Sequence, residues 1–132
     1  MKKEFTVNSS KREELVDITD AVQKAVRESG IKSGRVFIYV PHTTCGVTIN
    51  ENADPSVRHD IIAGLAHAVP HLAGFRHAEG NSPAHIKSSI IGCSKEILVE
   101  NGSLILGTWQ GIFLCEFDGP RRRQVIVKIW SD

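Results

Sequence analysis

A chain of 132 residues is the length of one domain, residues 1–132, and long enough to close a sizeable core. A formal net charge of +1 with 23% charged residues excludes a disordered chain and a strongly basic nucleic-acid binder. No apolar run approaches the length of a membrane span, and Met1-Lys2-Lys3-Glu4 leads into no signal-peptide core, so neither a membrane nor a nucleic-acid partner is expected. Cys45, Cys93 and Cys115 are odd in number and form no C-x-x-C. Free cysteines of this kind suit the reducing cytoplasm.

Residues 2–7 read as an edge strand, and Arg12 to Ile18 as a second strand after a polar turn at Asn8-Ser9-Ser10. Asp17 or Thr19 is expected to cap a helix through Ser29, with Val22, Ala25 and Val26 as its apolar stripe and Gly30 as its stop. Arg35 to Val40 is apolar on both faces and reads as a central strand. Pro41 to Pro55 follows. Here Cys45, Val47 and Ile49 alternate with Gly46, Thr48 and Asn50 at the period of a half-buried strand. Asp54-Pro55 is a cap followed by proline at the first helical position. The second helix runs to about Val69, with Val57, Ile61, Leu65 and Val69 every four residues, and Arg58, His59 and Asp60 off that stripe are expected in solvent.

Residues 71–85 carry three of the six histidines and little apolar content, a length of irregular chain that is often functional. Ser82-Pro83 starts a short third helix that Gly92 ends. Glu96 to Val99 and Ser103 to Leu106 make a hairpin across Asn101-Gly102. Ile112 to Phe117 and Gln124 to Trp130 read as a last hairpin across Asp118-Gly119-Pro120. Two main helices, a short third and an antiparallel C-terminal meander give a single α+β domain.

Chemistry gathers at strand ends and helix starts, where polar groups sit on short connections between rigid elements. His77 and His85 flank a Gly- and Pro-containing loop. With His42 they supply three imidazoles, the ligand set of an open zinc site or a site for another divalent metal, although the spacing matches no tight zinc motif. The same helix start, with Lys87, Ser88 and Ser89 beside it, suits a phosphate or diphosphate. Glu51 and Asp54 are then carboxylates for magnesium, which takes one or two of these plus substrate phosphates. Trp109-Gln110 between glycines offers an indole face and an amide that matches an aminopyrimidine edge. Glu116 in an apolar strand is paired, faces solvent or belongs to a site. Arg121-Arg122-Arg123 reads as a solvated turn before it reads as an anion clamp.

His42-Thr43-Thr44, Thr48 to Pro55, Glu79-Gly80-Asn81, Ala84 to Ser89 and Gly107 to Ile112 occur in order. Together they closely resemble the YjbQ-like family, also described as secondary thiamine-phosphate synthases. The resemblance covers the chain from about Phe5 to Trp130, with Cys45-Gly46 standing where the family carries a small apolar pair. It implies an α+β fold with a sheet-rich core, a compact homotrimer, and a cleft lined by these motifs. It also implies a weak synthase activity: hydroxymethylpyrimidine diphosphate and thiazole phosphate condense to thiamine phosphate and diphosphate.

For that reaction Glu51, His42 and Lys87 are the candidate catalytic residues. Asn52, Asp54, Ser88, Ser89, Trp109, Gln110 and Glu116 are the candidate substrate-binding ones. His42, His77 and His85 are the candidate metal ligands. Magnesium on Glu51 or Asp54, with Lys87 and the third helix, would stabilise the leaving diphosphate. The thiazole nitrogen needs no base, so the three histidines suit metal binding or metal-assisted hydrolysis at least as well. The alternatives are a non-enzymatic trimeric binder of a metal or phosphorylated metabolite, and a metal-dependent hydrolase.

Overall fold

The computed structural model describes residues 1–132. The elements in order are β1 (Lys2–Asn8), β2 (Glu14–Asp17), α1 (Thr19–Ser29), β3 (Gly34–Tyr39), β4 (Cys45–Glu51), α2 (Pro55–Ala68), α3 (Ser82–Ile91), β5 (Ser94–Glu100), β6 (Ser103–Leu104), β7 (Gln110–Glu116) and β8 (Arg122–Ser131). They build two antiparallel sheets, one of five strands in the order β1-β8-β3-β5-β6 and one of three in the order β2-β7-β4. No helix is long and apolar enough to cross a membrane.

The main core lies between the sheets. Val36 and Ile38, Val125, Val127 and Ile129, and Ile97 and Val99 come from the larger sheet. They meet Val47, Ile112 and Leu114 of the smaller one, with Val22, Ala25 and Val26 of α1 alongside. The far side of the small sheet carries a second cluster, Leu15, Phe113, Cys115 and Phe117, which Ala84 of α3 joins and Ile61, Ile62 and Leu65 of α2 cover. The small sheet is therefore buried on both faces. No helix lies over the outer face of the large sheet, where Tyr39, Leu98 and Trp130 are exposed.

Local signals explain most boundaries. Asp17 Oδ1 accepts from the Thr19 N–H at 2.9 Å and its hydroxyl at 2.6 Å, anchoring the start of α1. Gly30 ends that helix at φ 74°. Asp54 caps α2 through the Ser56 N–H at 2.9 Å. The β5–β6 turn has positive φ at both Asn101 and Gly102, as its sequence requires. The second strand is shorter than expected, Glu14–Asp17 instead of Arg12 to Ile18.

The last pair of strands corrects the expected meander. β7 and β8 do not pair: β7 sits between β2 and β4, and β8 between β1 and β3. Their patterns carry the reason. Gly111 to Glu116 is buried throughout and belongs in the middle of the sheet covered on both faces. Val125 to Ile129 alternates and belongs on the sheet with one open face. The segment 117–121 thus crosses between sheets. Arg58 also departs from expectation, since it is half-buried with its guanidinium 5.5 Å from the Phe113 ring centroid.

Candidate functional site

The sheet crossing places charge in the interior. Glu116 is fully buried at the end of β7 and Arg123 is 4% exposed near the start of β8. Arg123 donates to both carboxylate oxygens, from Nε at 2.9 Å and from a terminal nitrogen at 2.6 Å, a bidentate pair. The Ser9 hydroxyl donates to Glu116 at 2.7 Å and the Asp118 N–H at 3.1 Å. Arg123 also donates to the Thr44 hydroxyl at 2.8 Å. Burial alone pushes the Glu116 carboxyl up, but these hydrogen bonds outweigh it and hold it below the usual range. An adjoining set follows: Asn81 Nδ2 donates to Asp118 at 2.9 Å, and Arg121 to the same oxygen at 3.0 Å. Gly119 is required in this crossing, because a Cβ there would collide with the Lys11 carbonyl oxygen.

On this floor stands a pocket of about 420 Å³ lined by Pro41, His42, Thr43, Thr44, His77, Glu79, Asn81, His85, Arg121 and Arg123, with Pro41 the one apolar side chain among them. The 41–44 turn comes from the β3–β4 connection, whose fold is tightened by the His42 N–H to the Val40 carbonyl at 2.9 Å. His85 arrives on the first turns of α3. That helix packs close to β4 because Gly46 has no Cβ, which would lie 2.8 Å from the Gly92 carbonyl oxygen. The His77 and His85 rings meet edge to face, 5.3 Å between centroids. His42 Nε2 accepts the Gln124 N–H at 2.9 Å, which fixes its proton on Nδ1. Burial, then the nearby Arg123 charge, lowers its pKa, so the ring is a neutral donor toward ligand.

The three histidines thus line one pocket, but no three His, Cys, Asp or Glu side chains are grouped so as to hold a metal ion. Other expected site residues lie elsewhere or are engaged. Lys87 is buried and donates to Glu13 at 2.7 Å. Ser88 donates to the Cys45 carbonyl at 2.6 Å and Ser89 to the His85 carbonyl at 2.9 Å. Glu116 is the buried partner of Arg123.

Glu51, Asn52, Trp109 and Gln110 gather at the far end of β4. There Glu51 stands opposite Gln110 in the ladder and the Asn52 N–H donates to the Trp109 carbonyl at 2.9 Å. Asp54, just beyond, serves as the α2 cap. Six strand steps separate this end from Cys45, about 20 Å at the strand rise. The Cys45 thiol, beside the pocket, is pushed up to about 11 by burial and is no nucleophile. Sequence reasoning missed Ser9, Asn81 and Asp118, and it read the arginines as solvated. Its one available signal was Glu116, a carboxylate in an apolar strand that demanded a buried cation.

Two facing antiparallel sheets and three helices, with a mainly polar pocket at a sheet crossing, define a small α+β domain. A family model described as UPF0047 protein YjbQ-like matches residues 3–132. The chain is 59% identical over 128 residues to a UPF0047 protein of Methanocaldococcus jannaschii, covering 97% of this chain and 93% of that protein. It is 51% identical over 130 residues to YugU of Bacillus subtilis, covering 98% of each. A crystal structure of an uncharacterized YjbQ/UPF0047 protein from Clostridium acetobutylicum superposes with a TM-score of 0.94 at 52% identity, over 97% of this chain and 99% of that one. One from Sulfolobus solfataricus, described as of unknown function, gives 0.95 at 34% identity, over 100% and 97%. The chain belongs to the YjbQ-like UPF0047 family.

Proposed function

We propose that this chain is a slow, secondary thiamine-phosphate synthase whose polar pocket holds the phosphate end of its substrates. One observation carries the reading. His42, Thr43, Glu79, Asn81 and His85, all from the motifs that mark the family, share a pocket with His77 and Arg121, and Pro41 is the one apolar residue in its lining. Arg121 is oriented by Asp118, through Nε to its carbonyl at 2.8 Å and one terminal nitrogen to its carboxylate, leaving the other terminal nitrogen to donate. The Ser82 N–H at the start of α3 takes part in no hydrogen bond of the chain and adds a helix N-terminus.

In the reaction the pyrimidine CH₂–O bond breaks and its electron pair leaves with diphosphate, while the thiazole nitrogen forms the new C–N bond. Arg121, the α3 start and the histidines stabilise the charge that develops on the leaving group. Magnesium bound to the diphosphate would supply charge neutralisation there; the carboxylates of Glu51 and Asp54, at the other end of β4, would not reach it. Trp109 and Gln110 can hold the pyrimidine at this pocket only from a neighbouring copy. The homotrimer is therefore part of the proposal, supported by the 62% exposure of Trp109 and by the uncovered Leu98 and Trp130.

The test is turnover with both substrates and magnesium. Arg121→Ala is expected to lower it about 10²-fold, the scale of one lost transition-state stabiliser. Binding of phosphate without product would instead favour the non-enzymatic binder, which uses the same pocket. Hydrolysis of phosphate esters that follows an added divalent metal and is lost in His77→Ala would favour the hydrolase.

A further inference from the structure

One cation withdrawn from solvent has no partner in the chain. Among the buried and half-buried lysines and arginines, Arg123 pairs with Glu116, Lys87 with Glu13 and Lys3 with Glu28, while Lys95 donates to two carbonyl oxygens at 3.3 Å. Arg58, near the start of α2, is the exception. It is half-buried with its guanidinium 5.5 Å from the Phe113 ring centroid, and none of its nitrogens donates to any group of the chain. The ring offers a cation–π attraction but no lone pair for the N–H groups. Nε is sealed off, so no ligand reaches it. The two terminal nitrogens are unpartnered but not sealed, and these are the donors a ligand can meet.

Arg58 lines a pocket of about 490 Å³ between β2 and α2, which shares no residue with the phosphate pocket. Leu15, Pro55, Ile62 and Ala63 give it apolar surface. Glu13 and Glu14 also line it, but each is turned to another donor, Glu13 to Lys87 at 2.7 Å and Glu14 to the Ser10 N–H at 2.7 Å. His59 faces Asp60 at 3.1 Å, and both stand in solvent. Lys87 cancels the charge of Glu13. Lys11 and Arg58 then face Glu14 alone, which leaves one positive charge in excess. A single negative charge balances it, and a phosphate dianion overshoots. A carboxylate carries that charge on two coplanar oxygens, the geometry that suits a guanidinium edge.

We propose that this pocket is a second binding site, for a small monocarboxylate with a short apolar body. The carboxylate accepts from the terminal nitrogens of Arg58, and the body lies against Leu15 and Ile62. Apolar walls with one placed charge are the usual make-up of a small-molecule site. The site is independent of the phosphate pocket and of the reaction proposed there.

The experiment is calorimetry at constant ionic strength on the intact protein, with hexanoate, acetate and hexanol as probes. Wild type is expected to bind hexanoate saturably and about tenfold or more tighter than hexanol, which lacks the charge, or acetate, which lacks the body. Arg58→Gln should remove the preference for hexanoate over hexanol, and Arg121→Ala should change hexanoate affinity less than about twofold. No saturable binding of hexanoate, or equal binding in Arg58→Gln, would overturn the site. Hexanol or acetate binding as tightly as hexanoate would overturn the ligand class. A loss in Arg121→Ala would place hexanoate in the phosphate pocket and overturn the proposal. Should Arg58→Gln fail to fold, amide shifts in the ¹⁵N-labelled wild type decide: the proposal requires them at Leu15, Arg58 and Ile62, and shifts at Thr43 and His85 instead would overturn it.

Discussion

The two ends of β4 carry motifs of the same family resemblance and are built in opposite ways. At the Thr44 end, polar side chains rest on a buried bidentate ion pair and are held by hydrogen bonds between residues more than 70 positions apart, such as Arg123 to Thr44 and Ser9 to Glu116. At the Glu51 end, contacts are local or exposed. Asp54 caps its own helix, Gln110 accepts from Gly107 three residues away at 2.8 Å, and Trp109 stands in solvent. The first end has the fixed donors of a preorganised site. The second exposes an aromatic side chain, Trp109, and has no such set of fixed donors. A shared motif set therefore does not imply a shared cleft within one chain.

The sharpest way to break this contrast is the ion pair. Glu116→Gln leaves Arg123 buried without a counter-charge and is expected to lower unfolding stability by about 3–5 kcal/mol, read by denaturant titration. Replacing both by apolar residues of similar volume should recover much of that loss while abolishing phosphate binding, which separates the fold from the site.

Next in size, Arg121→Ala should weaken phosphate binding by about tenfold or more, since hydrogen bonds to charged groups are worth about 1.5–3 kcal/mol. Glu51→Gln should change it less than about twofold. Calorimetry with inorganic phosphate measures both. An equal loss in the two variants would erase the distinction between the ends.

Acid should act on both ends, through the Asp54 cap at one and through three groups at the Thr44 end. The folded pKa values of His42, Glu116 and Asp118 are all depressed, so the unfolded chain binds protons more readily as pH falls. Stability should begin to fall below the ordinary histidine value of 6.5 and drop further below the ordinary carboxylate values of 4.5 and 3.8, read as melting temperature against pH. His42→Gln should flatten the upper part of that curve only. The smallest effect belongs to the other end. Asp54→Ala removes a helix cap and should lower the melting temperature slightly with no change in phosphate affinity.

Much of the fold was legible in the residues. The cap at Asp54, the Asn101-Gly102 turn and the apolar stripe of α1 are local chemistry, and the structure follows them; at the start of α1 the cap position falls to Ile18 instead of Asp17 or Thr19, and Asp17 accepts from the Thr19 N–H. The pairing of β7 and β8 was not, because a turn-like Asp118-Gly119-Pro120 looks the same whether it reverses a strand or carries it to another sheet. The difference lies in burial on one face or two. The same ambiguity hid the site. Three consecutive arginines in a hairpin tip would be solvated, whereas in a sheet crossing Arg123 is drawn inside to meet Glu116. Lys87 shows the converse, since its place beside a helix start suggested an anion partner, whereas it is itself buried and half-buried Glu13 takes it.

The most direct test is a titration of the ¹⁵N-labelled protein with inorganic phosphate, followed residue by residue. The account predicts shifts confined to the Thr44 end, in the amides of Thr43, Ser82 and His85 and the side chain of Arg121. Shifts at Asn52, Trp109 and Gln110 with none at the pocket, or no saturable shift anywhere, would contradict it.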